Sequence, residues 1–505
     1  MKLTPLRRLA AFSAACIVAA TTRGQLPQST PESQGVSAAA VLDFIDAADN
    51  QVDTMNSFIL VRHGHVVTEA FWAPYDAKTP HVLYSLTKSF TSTAVGLAQS
   101  EGKLSIDDKL ISIFPDDAPT NPSANLQAMR LRDLLRMSSG QHAEDVSKVE
   151  PWPDDHWRRD FLALPVAHKP GTHFFYNSPG SYMLSAAVQK ATGQKTHDYL
   201  TPRIFEPLGI KDPLWKESPE GVSIGSYGLN LRTGEIARFG QLLLQKGQWN
   251  GKQLIPTTWL EQATSVQTSN GSDPTSDWEQ GYGFQFWRCR YGFFRGDGAF
   301  GQFCIVMPQY DAVVAITSGS RDMQAVMNLV WTRIVPALKN ESLATDEKAD
   351  EALRERVSKL SIHLMPPTDA APAPGNVGQV FELTPNVLQV DKISVVSSDE
   401  HGAELLLSSK GASEKISLGR HEWKLGQVQP GLLDVRYLGI PDTLIAGQGE
   451  WTSPDTFMAK IVFYQTPIYM QLQLKFTAGK VVVSTTYNAS FQKTPEPDIL
   501  GTAQK

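Results

Sequence analysis

Cysteine is scarce in this chain, with three in 505 residues at positions 16, 289 and 304. That is too few for a disulfide framework or for the cysteine-rich ligand sets of structural zinc. Long apolar runs are missing as well. Leu9 to Ala20 comes nearest to one, and it falls short of the roughly 20 residues needed to cross a bilayer. Nor is there a basic excess: 46 Lys and Arg against 52 Asp and Glu leave a net charge of −6. No basic run carries interleaved aromatics, which excludes the electrostatic footprint of a nucleic-acid binder. No repeat of solenoid period is present.

What the sequence does have begins with an export signature. Lys2, Arg7 and Arg8 supply the positive start, Leu9 to Ala20 the short apolar core, and Val18 with Ala20 the residues for a cleavage site. Residues 1–24 therefore read as a signal peptide, and the mature chain as a soluble exported protein, periplasmic or secreted. Cys16 would allow lipid anchoring, but Ser13 stands where such signals usually carry Leu. Cys289 and Cys304 then remain, flanking a hairpin-like segment, and one bridge or two separate buried thiols both fit.

The rest is long enough for two or three domains. Ser37 is the expected N-cap of a helix reaching Asn50, and Ser57–Arg62 and His65–Trp72 alternate like strands about a His63-Gly64 turn. Glu101 to Gly140 reads as helical with polar turns, including Leu104–Phe114 and Met129–Met137. Lys169 to Leu184 reads as an aromatic turn entering a helix that ends near Gly193, and Gly225 to Phe239 as a glycine-rich turn before another helix. Gly281–Cys289 and Gly301–Ile316 are expected strands, joined by residues 290–300. These describe an α+β domain over residues 25–340, an antiparallel sheet flanked by helices plus an all-α region. A charged helix within Ser342–Leu360 and the proline-rich Pro366–Asn376 make a linker over 341–377. Residues 378–497 alternate in short runs, such as Ala403–Leu407, Leu433–Leu438 and Met470–Phe476, and predict a small antiparallel β domain.

The chemistry points to residues 81–96, HVLYSLTKSFTSTAVG. Ser85 and Lys88 stand three apart at the opening of an apolar helix, so they share a face. Free backbone N–H groups and the positive dipole end meet the serine there. A serine hydroxyl needs a base to become a nucleophile; a buried, partly neutral lysine with a neighbouring phenol can serve. Tyr176-Asn177-Ser178 supplies the phenol and, two residues on, a hydroxyl to hydrogen-bond the lysine. Acyl transfer also needs two backbone N–H groups aimed at the developing oxyanion, and Gly296-Asp297-Gly298-Ala299 offers close backbone approach. A second S-x-x-K, Ser490 to Lys493, lies in a β-like tail without such partners. His63, His65 and His173 lack metal-like spacing, Asp154, Asp155 and His156 are consecutive and do not converge on one ion, and Asp107 and Asp108 read as caps. Trp152, Trp157 and Phe161 read as core packing before a substrate wall.

Ser85-Leu-Thr-Lys88, Tyr176-Asn-Ser178 and Gly296-Asp-Gly298, in that order, resemble the three motifs of the serine β-lactamase and penicillin-binding-protein superfamily. The likeness is closest to its class C branch, which includes family VIII esterases, DD-peptidases and amide hydrolases such as the nylon-oligomer enzymes. PESQGVS, LRDLLRMSSG, PGTHFFYNS and GAFGQ agree, so the resemblance covers Pro31 to Leu338. It implies a β-lactamase-like fold in which Ser85 is acylated, Lys88 and Tyr176 form the general base and Ser178 orients Lys88. It further implies an oxyanion hole from the N–H groups of Ser85 and Ala299, with Asp297 and Gly298 bordering the substrate, and neither metal nor cofactor. One departure bears on substrate: the family often opens its third motif with Lys or His to hold a carboxylate, whereas this chain has Gly296, with Arg295 before it. The expectation is a hydrolase of a small ester, amide or peptide. The alternatives are a β-lactamase or DD-peptidase and, in another class, a slow penicillin-binding or envelope-sensing protein. The acyl group, leaving group, oligomeric state and role of the β domain are not legible here.

Overall fold

The computed structural model describes residues 24–147, 155–429, 443–491 and 496–504. Residues 1–23 of the expected signal, Trp152, Asp154, Leu433–Leu438 and Lys493 lie outside them.

Helix α1 (Ala38–Gln51) starts where expected, because the Ser37 side chain accepts from the Ala40 N–H. Strands β1 (Met55–Arg62) and β2 (His65–Phe71) fold about His63 and Gly64, whose φ values of 48° and 73° are the left-handed pair a two-residue hairpin turn requires. With β3 (Trp287–Arg288), β4 (Phe294–Gly298), β5 (Gln302–Met307) and β6 (Ala312–Ser318) they form one antiparallel sheet in the order β2-β1-β6-β5-β4-β3. Every residue of β1 and β6 is buried, since both faces of the sheet are covered. Ile59, Val61, Val313 and Ala315 face the helical side, while Phe58, Leu60, Val314 and Ile316 pack with Val41, Phe44 and Ile45 of α1. Each large apolar side chain so buried contributes about 1.5–3 kcal/mol.

Three expectations are corrected here. Gly301–Ile316 is two strands, divided by a turn at Pro308–Tyr310 and left-handed Asp311 (φ 45°), and Phe294–Gly298, read as a connection, is itself a strand. Residues 101–140 hold only short helices, Leu110–Ile113, Ala124–Ala128 and Leu131–Leu135. The cysteines are separate buried thiols: Cys304 points to the helical side, where Sγ meets the Ile236 carbonyl at 3.7 Å, and Cys289 lies in the opposite core. Burial pushes Cys289 up to about 11 and Cys304 up to about 12.

The charged helix runs Glu347–Ser358, and the proline-rich segment leads into a sheet of ten strands among the described residues, antiparallel but for one pairing. This sheet is barrel-like: Gly419 pairs with Gln448, and the last strand, Ile499–Ala503, slots between Phe381–Leu383 and Lys480–Tyr487. It extends six residues past the expected limit of 497. The β domain is docked on the first. Tyr75 Oη donates to the Thr466 carbonyl at 2.8 Å, the Val82 N–H donates to Gln465, and Val462 and Tyr464 join the core that contains α1.

Candidate active site

Helix α2 (Thr87–Ser100) is the centre of the first domain; Thr87 to Ala98 are all buried. Its Ser, Thr, Ala and Gly side chains are small enough for α3 (Ser178–Thr192) to pack closely along it. Ser85 sits in the 3₁₀ turn Tyr84–Leu86 that leads into this helix, at its N-terminal end as the spacing predicted. Lys88, 1% exposed, donates from Nζ to Ser85 Oγ at 2.9 Å, Ser178 Oγ at 3.3 Å and the Ser226 carbonyl at 2.9 Å. An ammonium has three N–H donors, and these three oxygens match them. The Tyr176 ring adds a fourth contact, its centroid 4.9 Å from Nζ. Burial of a bare ammonium would be strongly unfavourable, so the pocket is built to hold this amine beside this hydroxyl.

The Tyr176-Asn177-Ser178 segment is fixed by its middle residue. Asn177 caps α3, its Oδ1 accepting the Gly180 N–H at 3.0 Å, while Nδ2 donates to Gln141 Oε1 at 2.7 Å and Ser139 Oγ at 3.2 Å. Upstream, the Phe175 N–H donates to the Met137 carbonyl at 2.8 Å. Tyr176 and Ser178 are thereby presented on either side of a locked asparagine, both turned to Lys88.

The third motif lies on β4, directly against the turn that carries Ser85. A Cβ at Gly296 would come within 2.4 Å of Leu86 Cδ1 and 2.5 Å of Ser89 Oγ; one at Gly298 would come within 2.0 Å of the Leu83 carbonyl. The glycines are therefore a packing requirement, and no Lys or His side chain fits at 296. Alternation sends Arg295 and Asp297 to the other side of the strand. There Arg295 Nε donates to Asp297 Oδ2 at 2.9 Å, Nη1 donates to the Asp277 carbonyl at 2.8 Å, and the guanidinium carbon stands 4.5 Å from the Trp278 ring centre. Arg295 is fully buried. Paired with Asp297, it offers no free positive charge to a substrate. Burial pushes the Asp297 carboxyl up, with Arg295 first and Lys88 after it opposing that push.

Four supporting residues were not found from sequence. Ser226 lies in the glycine-rich turn read only as the lead-in to a helix, and it is the backbone carbonyl, not a side chain, that serves. Gln285 ties the site together: Nε2 donates to the Leu134 and Leu135 carbonyls, Oε1 accepts from Ser181, and its carbonyl accepts from Ser89 of α2. Trp287 stacks on Tyr176, with centroids 5.3 Å apart. Phe491, from the β domain, meets Tyr84 and Phe300. Among the described residues no group of three or more His, Cys, Asp or Glu is arranged to hold a metal ion, and no helix is long and apolar enough to cross a membrane.

Comparison with known proteins adds an independent line. The sequence model of the family described as Beta-lactamase matches residues 48–338. A 6-aminohexanoate-dimer hydrolase from Paenarthrobacter ureafaciens is 22% identical over 288 residues, 53% of this chain and 73% of that protein. A lovastatin esterase from Penicillium rubens is 31% identical over 162 residues, 26% of this chain but 39% of the esterase. Among solved structures, a Bacillus anthracis protein provisionally described as a 6-aminohexanoate-dimer hydrolase superposes with a TM-score of 0.51 at 20% identity, covering 64% of this chain and 89% of that one; at this identity the likeness establishes the fold.

Proposed function

Since the chain belongs to the beta-lactamase family, we propose that it is a serine hydrolase that cleaves a small carboxylic ester or amide through an acyl-enzyme on Ser85. The observation that carries this is the contact of Lys88 Nζ with Ser85 Oγ at 2.9 Å, in a buried pocket closed by Ser178 and Tyr176. Lys88 and Tyr176 together take the Ser85 proton as Oγ attacks the carbonyl carbon. The tetrahedral oxyanion is held by the backbone N–H groups of Ser85 and Ala299, each such donor supplying roughly 3–4 kcal/mol in known cases. The proton passes to the leaving alkoxide or amine as the C–O or C–N bond breaks. Water, activated by the same pair, then releases the acid and regenerates Ser85. Gly298 gives β4 its close approach to the nucleophile turn, and Ser178 keeps Lys88 aimed.

An ester or amide without an obligatory carboxylate is favoured over a β-lactam or a peptidoglycan peptide. Gly296 has no space for a cationic side chain, and the Arg295 charge is spent on Asp297. Export to the periplasm or medium is part of the same reading, resting on residues 1–24. The test is labelling by a fluorophosphonate with the mass increase mapped to Ser85, together with turnover of p-nitrophenyl esters against a chromogenic cephalosporin. Labelling and ester cleavage are expected; a cephalosporin hydrolysed well with negligible ester cleavage would reverse the substrate preference, and an unlabelled Ser85 would end the serine-hydrolase reading.

A further inference from the structure

The chain around Ala299 is held by the end of β6. Gln302 Nε2 donates to the Ala299 carbonyl at 2.9 Å and to the Ser318 carbonyl at 2.9 Å. Ser318 Oγ donates to the Phe300 carbonyl at 2.9 Å, and the Ser320 N–H donates to that same carbonyl at 3.0 Å. Gln302, Ser318 and Ser320 are all buried. Phe300 itself is left-handed, φ 66°, a conformation that a bulky residue keeps only where its surroundings enforce it. The direction of the Ala299 N–H therefore follows the position of residues 318–320.

That segment is in turn fixed by the β domain. Asn488, just past the strand Lys480–Tyr487, donates from Nδ2 to the Gly319 carbonyl at 3.1 Å, Thr54 Oγ1 at 3.0 Å and the Pro467 carbonyl at 2.8 Å, while its Oδ1 accepts the Tyr469 N–H at 2.8 Å. One amide thus joins two segments of the first domain to two of the second. The Gly319 N–H donates to the Thr54 carbonyl at 2.8 Å, and a Cβ at Gly319 would come within 2.2 Å of the Pro467 carbonyl and 2.4 Å of Asn488 Nδ2, so the junction has no slack. The same domain also touches the approach to Ser85: the Val82 N–H, three residues ahead of it, donates to the Gln465 carbonyl at 2.9 Å.

We propose that Asn488 is a positioning residue for the oxyanion hole, the side chain through which the β domain sets where the Ala299 N–H points. This rests on the reading of Ser85 as the acylated residue, with the Ser85 and Ala299 N–H groups around the oxyanion. Asn488 touches no reacting atom. Without its amide, Gly319 loses its tie across the domain boundary and residues 318–320 shift, carrying Phe300 and the Ala299 N–H with them. A hydrogen bond weakens steeply as its angle departs from linear, so a small shift there costs oxyanion stabilisation. The Lys88 contacts with Ser85, Ser178 and the Ser226 carbonyl lie on other segments, so the loss falls on the oxyanion and not on proton transfer.

The full chain and its Asn488→Ala and Thr54→Val variants would be assayed on p-nitrophenyl acetate and p-nitrophenyl thionoacetate, with kcat taken per fluorophosphonate-labelled Ser85 so that a misfolded fraction does not enter. For Asn488→Ala, kcat on the acetate is expected to fall about ten-fold with KM changed less than about two-fold. The thionoacetate, whose sulfur is a weaker acceptor than oxygen, should lose less, so the oxo-to-thiono ratio drops about five-fold. Thr54→Val removes one acceptor of the Asn488 amide, keeps the side-chain shape, and should lower the ratio about two-fold. A labelled Asn488→Ala with wild-type kcat overturns this inference alone, as does a fall in kcat that leaves the ratio unchanged, which is what a merely structural role would give. Should Asn488→Ala fail to fold, an unchanged ratio in Thr54→Val overturns it instead. A wild-type chain that neither takes the probe nor cleaves any ester overturns the Ser85 reading and this one with it.

Discussion

The Tyr176 ring lies nearly parallel to the Trp287 indole, their planes 21° apart, and Trp287 pairs across the β3–β4 ladder with Arg295. The phenol proposed as part of the general base is therefore placed from two directions, by the Asn177 cap behind it and by a strand that neighbours the third motif. Replacing Trp287 by Leu keeps an apolar residue but removes the flat face. A drop in kcat of about ten-fold is expected on p-nitrophenyl acetate, with Ser85 still labelled but more slowly, because misplacement of a catalytic group by about 1 Å is costly. Labelling at the wild-type rate would show that Asn177 alone suffices.

Removal of the amine should do more. Lys88→Met is expected to lower kcat by about 10²–10⁴-fold, the usual range for a positioned general base. Lys88→Arg should not rescue it, since a guanidinium cannot give up its proton. Ser178→Ala leaves Nζ with the Ser226 carbonyl and Ser85, so a smaller loss of roughly ten-fold is expected, read from steady-state rates across pH.

Gly296→Ala tests the close approach of β4 to the turn that carries Ser85. With Leu86 and Ser89 in the way, a destabilisation of about 1–3 kcal/mol in urea unfolding is expected, together with lost ester cleavage. Gly234→Ala, in α4 (Thr233–Leu244), is the matched control: the nearest atom to its Cβ is Ile59 Cδ1 at 4.0 Å. There the better helix propensity of alanine should leave stability unchanged or raise it by up to about 1 kcal/mol.

His81 gives a pH signature. Burial pushes its imidazole down to about 4; in the neutral form Nε2 can accept from Asn56 Nδ2 at 3.3 Å while Nδ1–H donates to the Val82 carbonyl at 2.9 Å. Between pH 4 and the unfolded value near 6.5 the unfolded chain binds a proton that the folded chain refuses, so stability is retained above pH 6.5 and lost as the pH falls through that window. The loss amounts to about 3 kcal/mol at most. Urea midpoints from pH 7 to 4 should fall more steeply for the wild type than for His81→Phe; parallel curves would contradict this assignment.

Local features were legible in the sequence and distant ones were not. Ser85 and Lys88 share one helical turn, so their meeting follows from spacing, and the His63-Gly64 hairpin is equally local. The Ser226 carbonyl reaches Lys88 across 138 positions of sequence and is a backbone atom, which no side-chain pattern marks. Phe294–Gly298 read as a connection because its glycines mimic a turn, yet they are glycines because the neighbouring turn leaves no room for a Cβ. Gln285 holds three helices from a left-handed conformation, φ 64°, that its residue type does not advertise. Phe491 was discounted with the tail that carries it, since its contacts lie across a domain boundary.

The barrel-like sheet has a bearing on durability. Its seam is made by Ile499–Ala503, which hydrogen-bonds at once to the first strand of the sheet and to the Lys480–Tyr487 strand that leads toward Phe491. A nick ahead of Ile499 would strip a partner from both flanks simultaneously. The β domain is thus fastened by a clasp more than four hundred positions from Ser85, where a protease could loosen it without approaching the first domain.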